Sequence, residues 1–161
     1  MKFFALVGIY ASAAVLSACG GASPGEPSTT TTGHGNMLLT DSAKPPKVVV
    51  PPGPPPTHLI VNDIRPGSGA AIPGKGEVGI HVNYISLSYK TGKPLGVKWA
   101  PRGAFRISFG PGLEVKGWEK GLVGMKVGGR RELRVPSRLA YGQGAILYVV
   151  DLLGIKWPPY G

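Results

Sequence analysis

The longest β pattern in the chain is what most constrains its fold. Val78, Ile80, Val82 and Tyr84 alternate with Gly79, His81 and Asn83, after which the apolar phase moves by one residue to Ile85, Leu87 and Tyr89. Successive side chains leave a strand on opposite faces, so period-two alternation reads as a strand, and the change of phase predicts a bulge or bend between Tyr84 and Ile85. Phe105, Ile107 and Phe109 alternate with Arg106 and Ser108, and Leu133 and Val135 alternate with Glu132 and Arg134. Ala145–Leu153 is an apolar run of the kind a central strand carries. One stretch reads as helix: Val115, Trp118 and Leu122 recur at three- and four-residue spacing between Gly112 and Gly124. The 26 glycines and 17 prolines among 161 residues exclude an all-helical architecture. A sheet crossed by one short helix, an α+β fold, is the expectation.

The strand patterns begin only after residue 57. Residues 1–18 start with one cation, Lys2, and continue through an apolar run from Phe3 to Leu16, which is the shape of a signal peptide. Gly20, Gly21 and the polar stretch from Ser23 to Thr32 stop the run short of the roughly 20 apolar residues that a membrane-spanning helix needs. It closes on Leu16-Ser17-Ala18-Cys19, which resembles the lipobox of bacterial lipoproteins, so Cys19 is the expected lipidation site and new N-terminus. A single Cys also excludes an internal disulfide framework and a cysteine-based zinc site. Residues 19–57 lack hydrophobic periodicity and run through a Thr tract, Thr29 to Thr32. Seven of the twelve residues from Pro45 to Pro56 are proline, which favours extended polyproline II. The expectation is a disordered Pro/Thr-rich tether over 19–57 that holds a folded domain, 58–161, away from a lipid surface.

Candidate chemistry in that domain is sparse. His34, His58 and His81 have no metal-ligand spacing, so no metal site and no cofactor are expected. A nucleotide-binding glycine motif and a serine elbow are both missing, and no pair of acids is placed for acid/base work. What stands out is aromatic: Tyr84, Phe105, Phe109, Trp118, Tyr141 and Tyr148 each fall at the middle or end of an apolar element. The chain carries a formal charge of +10, with Lys90, Lys93, Lys98, Arg102 and Arg106 crowding one stretch, which suits an anionic lipid surface. No recognition motif supports nucleic acid as a partner.

Gly117-Trp118-Glu119-Lys120-Gly121-Leu122-Val123-Gly124-Met125-Lys126-Val127-Gly128, then Arg130-Arg131-Glu132-Leu133 and Leu139-Ala140-Tyr141-Gly142, resemble the signature of the FKBP-type peptidyl-prolyl cis-trans isomerases. Pro66-Gly67-Ser68-Gly69, Gly74-Lys75-Gly76, Val82-Asn83-Tyr84 and the last apolar run extend the similarity over about residues 60–156. The resemblance implies a bent antiparallel β-sheet wrapped around one short α-helix, with a pocket between them. It implies Tyr84, Phe105, Trp118, Tyr141 and Tyr148 as catalytic residues, Trp118 forming the floor. Leu95, Ile107, Glu114 and Val115 are implied as substrate-binding, Val115 through its backbone N–H and Tyr141 through its hydroxyl. The implied ligands are proline-containing segments of exported proteins and macrolides of the FKBP type. With the lipobox, this places an isomerase in the cell envelope, on the outer membrane facing the periplasm or the surface in a Gram-negative cell.

Three departures from the family pattern bear on turnover. In Thr91-Gly92-Lys93-Pro94-Leu95-Gly96 the family has Phe-Asp where this chain has Leu95 and Gly96, so an aromatic wall and an acid are missing. Glu114 stands where an apolar residue is usual. Only Gln143 and Gly144 follow Tyr141-Gly142 before the last strand begins, where the family has a longer loop over the pocket. These departures support an alternative function, a weakly active or inactive peptide-binding or chaperone lipoprotein. Arg131 is a further oddity, a cation in phase with Leu133 and Val135, expected to snorkel or to pair with an acid.

Overall fold

The structure, a computed structural model, describes residues 44–101 and 105–156. The signal peptide expected over 1–18, the lipidation expected at Cys19, the first part of the expected tether and Arg102 lie outside the described residues. Six strands and one short helix follow in the order β1 (Ile60–Arg65), β2 (Val78–Ser88), β3 (Pro94–Lys98), β4 (Phe105–Phe109), α1 (Lys116–Gly121), β5 (Arg130–Val135) and β6 (Ile146–Lys156). All pairings are antiparallel, in the order β1-β5-β6-β2-β3, with β4 also on β2. This is the α+β sheet-and-helix arrangement expected from the sequence.

β2 organises the molecule. One of its edges pairs with β6 along the whole strand; the other is shared by β4, along Val78–Val82, and β3, along Tyr84–Leu87. Where the two ladders part, Asn83 is fully buried, and its side-chain amide donates to Ala100 O (2.8 Å) and accepts from Ala100 N–H (3.2 Å). That exchange satisfies backbone groups that neither ladder reaches.

The change of phase in β2 has a different cause from the bulge expected between Tyr84 and Ile85. Tyr84 and Ile85 pair with consecutive residues of β6, Val150 and Val149, without a break. The strand is buried on both faces: Val78, Ile80, Val82 and Tyr84 meet the main core under α1, whereas Ile85, Leu87 and Tyr89 form a second cluster with Leu147. The register shift against β6 lies instead between His81 and Val82, which pair with Gly154 and Leu152.

The second cluster also changes the reading of the tether. Val48 and Val50, in the proline-rich stretch, pack against it with Trp99 and Ala145. A spacer running unstructured to residue 57 does not include this contact; the chain is already seated on the sheet at Val48.

The helix lies on β5 through two glycines. A Cβ on Gly117 would strike the Val135 side chain, and one on Gly121 would come within 2.7 Å of Leu133 Cδ2. Trp118 and Leu122 then reach the main core. Arg131 is only 8% exposed and resolves the oddity of its phase: its guanidinium makes a bidentate pair with Asp63 (2.6 and 3.0 Å) and donates to Gly121 O (2.8 Å) and Val123 O (3.2 Å). It pairs with an acid, as expected, and also caps the carbonyl end of α1.

Candidate active site

Trp118 reaches the site from α1 and is 3% exposed. Tyr84 of β2 stands edge-on to its ring at 5.2 Å and 90°, and Tyr148 of β6 does so at 5.6 Å and 77°. Phe105, the first residue of β4, is edge-on to Tyr84 at 5.5 Å. Such geometry sets positive ring edges against negative faces and holds the aromatic walls rigidly. The four rings line a cavity of about 250 Å3, to which Leu95 and Gly96 of β3 and Tyr141 of the β5–β6 connection also contribute. Trp118 Nε1–H is buried without a hydrogen-bond partner, so the floor holds an unsatisfied donor.

The loop before α1 brings Glu114 and Val115 to the same cavity. Glu119 fixes that loop: its Oε1 accepts the N–H groups of Gly112 (2.7 Å) and Glu114 (3.4 Å), and Val115 O accepts the first helical N–H, from Trp118 (2.8 Å). Burial, reinforced by the charge of Glu119, holds the Glu114 carboxyl above its ordinary range. Burial pushes the Tyr148 phenol up to about 12, with smaller contributions from Tyr84, Tyr141 and Glu114. Tyr84 is raised by burial and then by Glu114. These two phenols therefore stay protonated near neutral pH and are able to donate hydrogen bonds.

Eight of the nine residues expected at the site line this cavity: Tyr84, Leu95, Phe105, Glu114, Val115, Trp118, Tyr141 and Tyr148. Ile107 does not. It pairs with Ile80 across β4 and β2 and packs into the main core, two residues along β4 from the wall formed by Phe105. Ser86, which sequence reasoning did not single out, also lines the cavity and donates from Oγ to Gly96 O (3.2 Å). Its place two residues after Tyr84 on the same strand face was the signal available.

The rim is low. A single 3-10 turn, Ser137–Leu139, and a tight loop carry the chain to β6, with Ser137 accepting N–H groups of Gly142 (2.9 Å) and Gly144 (3.1 Å). Tyr141, held at φ 56°, is 76% exposed on this rim. A second concavity of about 200 Å3 beside Pro73, Phe109 and Lys120 lacks the aromatic box. Among the described residues, no group of three or more His, Cys, Asp or Glu stands close enough to hold a metal ion.

Comparison with known proteins identifies the family. The family model for FKBP-type peptidyl-prolyl cis-trans isomerases matches residues 71–148. An FK506-binding protein of Streptomyces anulatus is 34% identical over 108 residues, covering 60% of this chain and 86% of that protein. A probable FK506-binding protein of Corynebacterium glutamicum is 36% identical over 104 residues, covering 59% of this chain and 85% of that protein. The crystal structure of FkpA from Escherichia coli superposes with a TM-score of 0.51 at 26% identity, covering 61% of this chain and 48% of that one. The chain belongs to the FKBP-type peptidyl-prolyl cis-trans isomerase family.

Proposed function

We propose that the aromatic cavity isomerises X-Pro bonds of exported proteins and that Cys19 anchors the enzyme to a membrane by its lipid. The observation carrying the catalytic part is the convergence of Tyr84, Phe105, Trp118, Tyr141 and Tyr148, from five separate parts of the chain, on one cavity of about 250 Å3. Rotation about an X-Pro bond opposes amide resonance, with a barrier of about 18–20 kcal/mol. The planar ground state carries more charge separation than the twisted transition state, so apolar walls favour twisting. A prolyl ring resting on Trp118 would fix the axis of rotation, while the Val115 N–H and the Tyr141 hydroxyl hold substrate carbonyls. No covalent step and no cofactor are required. The same cavity is offered as the site of FKBP-type macrolides.

Anchoring and export are supported by Leu16-Ser17-Ala18-Cys19 and the short apolar run before it. On this reading the enzyme belongs to the cell envelope, in a Gram-negative cell to the outer membrane, facing the periplasm or the surface. Membrane fractionation of the native chain and Cys19→Ser tests this, and retention of the variant in the membrane fraction contradicts it.

A second reading, a peptide-holding module with little turnover, is favoured by the exposed Tyr141 and by Gly96, which places no carboxylate on β3. Following isomerisation of X-Pro peptides and Trp118 fluorescence on the same samples separates the two. Binding with rate enhancement supports the enzyme; binding without it supports the holding module.

A further inference from the structure

We propose that Glu114 makes this pocket select prolyl segments in which a lysine or arginine adjoins the proline. This deepens the prolyl-peptide reading above and rests on it. Ten of the described residues line the cavity, and Glu114 alone among these ten carries a charge; the others are aromatic, aliphatic, hydroxyl or glycine. The ion pairs formed by acids among the described residues engage Asp63, Glu132 and Asp151, and none engages Glu114. Its charged neighbour is instead Glu119, of the same sign.

The position is enforced. Glu119 Oε1 accepts the backbone N–H groups of Gly112 and Glu114, clipping the loop to α1, so the backbone at Glu114 is fixed beside the cavity that this residue and Val115 line. Burial and the Glu119 charge disfavour the Glu114 carboxylate more than the neighbouring Val115 N–H favours it, so an arriving cation would stabilise it. A cation flanking a prolyl ring on Trp118 would meet Glu114 among the aromatic residues Tyr84 and Tyr148, surroundings that suit ammonium and guanidinium groups. An acidic flank would be repelled. Because the chain carries +10 overall, its general field disfavours cationic peptides, so any preference for them has to arise locally.

The test uses the full chain and matched tetrapeptides with lysine, alanine or glutamate placed before or after one proline, reading kcat/KM for isomerisation and, in parallel, Trp118 fluorescence in a Trp99→Phe, Trp157→Phe background. The expected result is a lysine peptide, at one flank or the other, favoured over its glutamate counterpart by roughly two- to fivefold, the size of a partly exposed ion pair. Glu114→Gln, nearly isosteric, should collapse that ratio to near unity, and Glu114→Lys should invert it; thermal melts of both check that the fold persists. Absence of a lysine preference in the native chain, or its persistence in Glu114→Gln, overturns the proposal. If every peptide binds without turnover, catalysis fails while a Glu114-dependent preference in fluorescence still upholds this inference. If no peptide binds, both fall.

Discussion

Tyr141 tests the pocket most cleanly at the residue scale, because it lines the cavity while being 76% exposed and so contributes little to folding. Tyr141→Phe removes one hydroxyl and should lower kcat/KM by the worth of one hydrogen bond, about 0.5–1.5 kcal/mol, with an unchanged melting temperature. An unchanged kcat/KM would remove this hydroxyl from the mechanism. Arg131 is the opposite case, remote from catalysis and central to the fold. Arg131→Ala strands the carbonyls of Gly121 and Val123, and Asp63, 46% exposed, turns to water. A loss of about 1–3 kcal/mol in chemical denaturation is expected, without a change in pocket selectivity. The phase of Arg131 was legible in the sequence; its partner was not, because Asp63 lies 68 residues away. Asn83 shows the same limit: it alternates like a solvent-facing residue, yet it is fully buried because two ladders part at that point.

At the scale of elements, the helix was readable from Val115, Trp118 and Leu122, and its closeness to β5 comes from Gly117 and Gly121. Gly117→Ala would drive a methyl into Val135, lift α1 from the sheet and carry Trp118 with it. We expect a loss of stability of about 1–3 kcal/mol, together with a changed Trp118 emission spectrum; an unaltered spectrum and melt would mean that the helix does not depend on this close approach. The strands buried on at least one face announced themselves by alternation or, for β6, by an unbroken apolar run. β1 and β3 did not, because β1 is exposed at four consecutive positions and β3 at four of five, so neither has an apolar face to reveal it. Ile107 was expected at the site through the family resemblance, but Phe105 lines the cavity whereas Ile107, two residues along β4, pairs with Ile80 and packs on the main core.

At the scale of the whole molecule, the pocket and the proline-rich segment occupy opposite faces of the same two strands. Tyr84, Ser86 and Tyr148 line the cavity, while Ile85, Leu87 and Leu147 between them meet Val48 and Val50 behind it. Composition could not show this, since prolines around three valines read as a spacer until an outer apolar cluster is known to receive them. A chain beginning at Lys44 should therefore be more stable than one beginning at His58, by about 1–3 kcal/mol for two partly buried valines. Equal unfolding midpoints for the two would show that the segment contributes nothing. The central claim, that the aromatic cavity turns over prolyl bonds, is reached most directly by one kinetic measurement on the full chain: the rate of cis-to-trans relaxation of a lysine-flanked X-Pro peptide with increasing protein. The predicted result is a relaxation rate that rises in proportion to protein concentration and is suppressed by a competing prolyl peptide that changes Trp118 fluorescence. A rate that stays at the uncatalysed value while that peptide still binds would contradict it.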